Sequence, residues 1–90
     1  MYRIILSADG IRKEVGTQAA KDIAEAFAAR PWHKNVTCMW DEANQALLVE
    51  AENEYDNDGL ALQDEFSDEI SANIKNAGDG NLRVISIEVI

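Results

Sequence analysis

Apolar residues recur every second position in some stretches of this 90-residue chain and every third or fourth in others. The two periods separate strands from helices. Tyr2 to Ser7 is rich in strand formers, and Ile11 to Val15 follows after Ala8-Asp9-Gly10. An Asp-Gly pair between two such runs predicts a tight hairpin, because its turn needs a positive φ that glycine adopts at little cost. In that register Leu6 faces Lys13 and Ile4 faces Val15. Thr17, placed to accept a backbone N–H, is then the expected N-cap of a helix running to Arg30. Ala19, Ala20, Ile23, Ala26 and Phe27 give that helix one apolar face, and Pro31 ends it.

Val36, Cys38 and Trp40 alternate with Thr37 and Met39, and Leu47, Val49 and Ala51 alternate with Leu48 and Glu50. With Asp41-Glu42-Ala43-Asn44 between them, the two runs read as an antiparallel hairpin whose buried side Trp40 anchors. From about Leu60 to Asn76, the residues Leu62, Phe66, Ile70 and Ile74 step by four. That spacing predicts a second helix, capped at its start by Asn57 or Asp58 and at its end by Gly78. A final strand follows, with Ile85, Ile87 and Val89 on one face, and it is expected inside the sheet. If the first hairpin is only an extended entry, the order reduces to βαββαβ, the ferredoxin-like plan. The expected fold is thus α+β: an antiparallel sheet of four or five strands with both helices on one face, forming a single domain over residues 1–90.

Composition suits a globular chain, with 47% hydrophobic and 28% charged residues. The lone Cys38 has no disulfide partner within the chain, and neither a membrane-length apolar run nor a signal peptide is visible. The expectation is a cytoplasmic protein.

Charge changes the picture more. The net charge is -9, yet residues 1–34 hold six basic residues against four acidic ones. Beyond them only Lys75 and Arg83 oppose thirteen carboxylates, eleven of which fall between Asp41 and Glu69. A surface of this kind repels nucleic acid and anionic membranes and draws basic partners or cations.

Glu54-Tyr55-Asp56-Asn57-Asp58-Gly59, with Glu65 at the twelfth place, has the spacing of a calcium-binding EF-hand loop. Its Glu at the first place, Leu62 at the ninth and the strand-like segment before it favour instead an Asx-rich loop capping the second helix. Cys38 shares the face of Val36 and Trp40 and reads as a small buried hydrophobe. His33, the single histidine, reads as a loop residue, and no second Cys or His completes a zinc site. No phosphate loop or nucleophile elbow is present. The sequence therefore predicts neither enzyme, cofactor nor metal.

The acidic stretch then carries the functional expectation. Asp41, Glu42, Glu54, Tyr55, Asp56, Asp58, Asp64, Glu65, Asp68 and Glu69 are taken as one continuous partner-binding face, with Tyr55 and an exposed Trp as anchors. In size and charge alone, with no shared motif, the chain resembles the immunity proteins that neutralise nuclease toxins and the DNA-mimicking inhibitors of phages. That likeness implies an inhibitor that captures a basic protein. The alternative is a ferredoxin-like regulatory or ligand-binding domain that dimerises through its sheet, with Met39, Leu48 and Val84 on the free face. The sequence leaves monomer and homodimer undecided.

Overall fold

The chain runs β1 (Tyr2–Asp9), α1 (Lys13–Ala28), β2 (Lys34–Asp41), β3 (Ala46–Asn53), α2 (Leu60–Asn73) and β4 (Asn81–Val89). The computed structural model describes residues 1–74 and 81–90. Its strands form one antiparallel sheet in the order β2-β3-β1-β4. This is the ferredoxin-like arrangement, four strands rather than five.

The hairpin expected at Asp9-Gly10 does not form. Strand β1 is central, paired with β3 on one side and β4 on the other, so no edge remains for Ile11–Val15. Gly10, at φ 78°, redirects the chain instead. Ile11 is buried and donates its N–H to the Gln45 carbonyl at the hairpin tip. Helix α1 therefore starts four residues before Thr17, with Arg12 at its N-cap and no side-chain cap. Gly16, expected before the helix, lies inside it. A Cβ there would run into the Trp40 ring, so only glycine lets the helix lie on that indole. Trp40 thereby ties the β2–β3 hairpin to α1, the anchoring role its alternating position predicts.

One sheet face is closed by the helices. Ile4, Leu6 and Ala8 from β1 pair across to Ala51, Val49 and Leu47 of β3, and all six are buried. Onto them pack Ile23 and Phe27 of α1 and Leu62, Phe66 and Ile70 of α2. Fully burying a side chain of this size stabilises by about 1.5–3 kcal/mol, so this layer dominates the stability of the domain. Helix α2 ends at Asn73 with Ile74 as its C-cap. The cap expected at Gly78 lies outside the described residues.

Strand β4 departs from its predicted pattern twice. It is an edge strand, not an interior one. Its register against β1 also slips between Ile5 and Leu6, which pair with Ser86 and Val84 and leave Ile85 as the extra residue of a bulge. Only Ile87 of the predicted Ile85-Ile87-Val89 row packs on the core, while Ile85 and Val89 are exposed. None of the described helices is long and apolar enough to cross a membrane.

Candidate functional site

The sheet face away from the helices has no covering layer. Each strand brings one apolar residue to it, Met39 of β2, Leu48 of β3, Ile5 of β1 and Ile85 of β4, in a stripe that Glu50, opposite Ile5 in the β1–β3 register, borders from within the face. Met39 lies directly opposite Leu48 in the β2–β3 register. Two shallow hollows share Ile5 and Leu48. One, of about 180 Å³, is walled by Thr37, Met39 and Glu50; the other, of about 250 Å³, reaches Ser7, Asp9, Asn44, Arg83 and Ile85. Antiparallel sheets that face water usually show polar residues there, which makes this stripe the feature in need of an explanation. Of the three residues expected on this face, Met39 and Leu48 are found there. Val84 lies near Gly59, at the start of α2, and the bulge puts Ile85 on the open face instead.

Charges flank the stripe on both sides, toward the two ends of the strands. At one end Arg3 bridges the neighbouring strands, 3.2 Å from Glu52 and 3.8 Å from Glu88, its register partners. Glu52 also accepts a hydrogen bond from Asn35 at 2.9 Å. That bond, helped by Arg3 and the charge of Lys34, holds the Glu52 carboxyl below the usual glutamate range, against an opposing desolvation. At the other end Arg83 stands 3.7 Å from Asp9, and Asp41 accepts both the backbone and side-chain N–H of Asn44.

The carboxylates expected to make one face are spread over the molecule. Asp41 and Glu42 sit at the β2–β3 turn. Glu54, Tyr55, Asp56 and Asp58 lie past the far end of β3, about 24 Å away at the usual rise per residue. Asp56 is buried, and its carboxylate accepts the N–H groups of Ala61 and Leu62 at 3.2 and 2.9 Å. It caps α2 in place of Asn57, while Asp58 accepts the Leu60 N–H at 3.0 Å. Gly59, at φ 77°, makes the turn into the helix. The EF-hand spacing is thus used for helix entry, and among the described residues no three His, Cys, Asp or Glu side chains are grouped as a metal site requires. On α2, Asp64 and Asp68 face solvent, whereas Glu65 and Glu69 turn inward to Arg30, at 3.2 and 2.7 Å.

This inward turn belongs to a cluster that sequence reasoning missed. The His33 side chain is fully buried, with Nε2 2.8 Å from Glu65 and Nδ1 3.4 Å from the Asn53 amide. Asn53 Oδ1 accepts the N–H groups of Tyr55 and Asp56. That fixes the amide so that its NH₂ faces His33, and the imidazole accepts at Nδ1 and donates from Nε2. Trp32 donates its indole N–H to Glu65 at 3.1 Å. The α1–β2 and β3–α2 loops are therefore sewn together around one histidine. Burial, with the Glu65 and Asp56 charges behind it, raises the Tyr55 phenol, so its hydroxyl stays protonated. Cys38 is half-buried, and desolvation pushes its thiol up to about 12, as its place on the core side of β2 implies.

No protein-family model matches the chain, and no curated protein matches it closely enough to count as a relative. Among solved structures it is similar to one described as the crystal structure of an antibiotic biosynthesis monooxygenase. The TM-score is 0.59 at 16% identity, over 96% of this chain and 97% of the other. The likeness extends over almost the whole of both chains and establishes the shared ferredoxin-like fold. It also overturns two expectations. The fold serves a protein named for an enzyme, so the exclusion of catalysis does not stand. The reading as an immunity-type inhibitor of a basic partner is the second to fall.

Proposed function

We propose that this chain is a ligand-binding domain, open to catalysis, that pairs with a second copy of itself through the free face of its sheet. The observation that carries the reading is the apolar stripe of Met39, Leu48, Ile5 and Ile85, flanked on both sides by charges. An apolar centre inside a polar rim is the anatomy of a protein interface. Each rim holds both signs, Arg3 with Glu52 and Glu88 at one end and Arg83 with Asp9 at the other. A second copy related by a two-fold axis can therefore set opposite charges against each other at both rims, with Glu50, opposite Ile5, the carboxylate it has to accommodate within the face. A stacked sheet is also the natural cover for a stripe that crosses every strand. The hollows beside Ile5 and Leu48 would then become enclosed space for a small apolar molecule. The similarity to a protein described as an antibiotic biosynthesis monooxygenase supports a small-molecule role and brings enzymatic chemistry within the reading.

Size-exclusion chromatography with light scattering tests this at low micromolar concentration. The expected mass is twice the 10.0 kDa of one chain, and Leu48→Glu with Met39→Glu should return it to a monomer of unchanged circular dichroism. A wild-type monomer at high micromolar concentration sinks the proposal.

A further inference from the structure

The half-exposed Trp32 and Tyr55 stand on the two loops sewn together by His33, at 48% and 52% exposure. Both rings contact that histidine, Tyr55 stacked on it at 6.4 Å between centroids and Trp32 tilted at 6.0 Å. Between the loops lies an open hollow of about 260 Å³ lined by Trp32, Tyr55 and Pro31, with Lys34 and Glu54 among its lining residues. None of its lining residues borders the hollows on the open face.

We propose that this hollow is a binding site for a flat aromatic molecule of one or two rings that carries a charged or hydrogen-bonding group. Three features converge on that class. The walls are aromatic, and stacking on such rings is worth about 1–3 kcal/mol for a planar partner. The walls are also held in advance. Trp32 is fixed through its indole N–H to Glu65, the Tyr55 backbone is held by the Asn53 side chain while its ring lies on His33, and Arg30 and His33 brace Glu65 from behind. A ligand meeting pre-set rings does not have to order them, which is where much binding energy is otherwise lost. Finally, Lys34 and Glu54 supply one cation and one anion for a polar substituent, while the small volume sets the limit of one or two rings. The site needs neither the open sheet face nor a second copy.

Indole, indole-3-acetate and tryptamine share a ring and differ in charge, so titrating each into the ¹⁵N-labelled protein is the direct test. The expected result is that at least one of them shifts the Trp32 indole N–H and the Tyr55 and Lys34 amides, and leaves Met39, Leu48 and Ile85 in place. Indole-3-acetate as the tightest binder assigns the substituent to Lys34, and tryptamine assigns it to Glu54. Tyr55→Ala should weaken binding at least about fivefold, consistent with the loss of one stacking wall. Trp32→Phe keeps a ring but loses the bond to Glu65, and should weaken binding less than Trp32→Ala. Shifts confined to the open face, no shifts at millimolar probe, or unchanged affinity in a folded Tyr55→Ala variant would each overturn the proposal. The first of these outcomes would leave the dimer reading intact, and a monomeric wild type would leave this site intact.

Discussion

The two faces of the sheet are built from the same strands, yet they solve opposite problems. On the helical side, Ile4, Leu6, Leu47 and Val49 meet Phe27, Phe66 and Leu62, and every one of these is fully buried. On the open side, Met39 is 61% exposed and Ile85 49% exposed, with charges on either side. Alternation along each strand divides the residues between the faces, so one register sets both at once. The helical face fixes the fold, and the open face, free of that duty, is available for a partner.

Mutation should expose that difference most sharply at Phe66. Phe66→Ala opens a cavity in the closed layer and should cost about 3–5 kcal/mol, enough to unfold a marginal small domain or lower its Tm by well over 10 °C. Leu48→Ala on the open face, measured on dilute protein, should cost less than about 1 kcal/mol. Thermal melts of the two variants side by side check the contrast, and equal losses would mean that Leu48 is covered in the folded monomer.

How legible these faces were in the sequence follows from how local their causes are. The helical rows of Ile23 and Phe27 and of Leu62, Phe66 and Ile70 sit within one element each, and their spacing was sufficient. The β2–β3 hairpin likewise carries its turn between its strands. The Asp9-Gly10 hairpin failed because the decision is not local: β1 gives its two edges to β3 and β4, both remote in sequence. The bulge at Ile85 was hidden for the same reason, since strict alternation in LRVISIEVI does not reveal a register slip against another strand. The His33 cluster was the least legible. Its partner Glu65 lies 32 residues away, and in the sequence that carboxylate is one of eleven in an acidic run. The local sign that could have found it is Asn53, a polar residue that continues the buried row of Leu47, Val49 and Ala51.

Gly16 and Asp56 test the contacts by which the closed layer is assembled. Gly16→Ala drives a methyl group into the Trp40 ring. The overpacking should cost about 1–3 kcal/mol, more than the gain of up to about 1 kcal/mol from alanine's helix propensity. Combining it with Trp40→Leu should recover much of the loss, and simple additivity in urea melts would show that the two residues do not touch. Asp56→Ala leaves the Ala61 and Leu62 N–H groups without their acceptor and should cost about 1–2 kcal/mol. Amide exchange is expected to quicken first at those two positions, and uniform quickening would count against a capping role.

The smallest effect belongs to the open face, at Glu52. Its folded-state carboxyl titrates below the usual glutamate range, chiefly because Asn35 donates to it, with Arg3 and Lys34 assisting. A carboxyl with a depressed folded value adds stability that is fully present above its unfolded value, near 4.3 for a glutamate, and that is lost as pH falls through the folded value. The ionised form is the one Asn35 and Arg3 hold, so Glu52→Gln should be less stable than wild type at neutral pH. The gap should close as pH falls below the usual glutamate range, where the wild-type side chain also becomes neutral. Urea midpoints of the two proteins, compared at pH 7 and down a series of acid buffers, give the answer at fixed low protein concentration. A gap that stays constant through that range would mean that Glu52 acts by shape rather than charge, and the polar rim of the open face would then lose its electrostatic basis at that end.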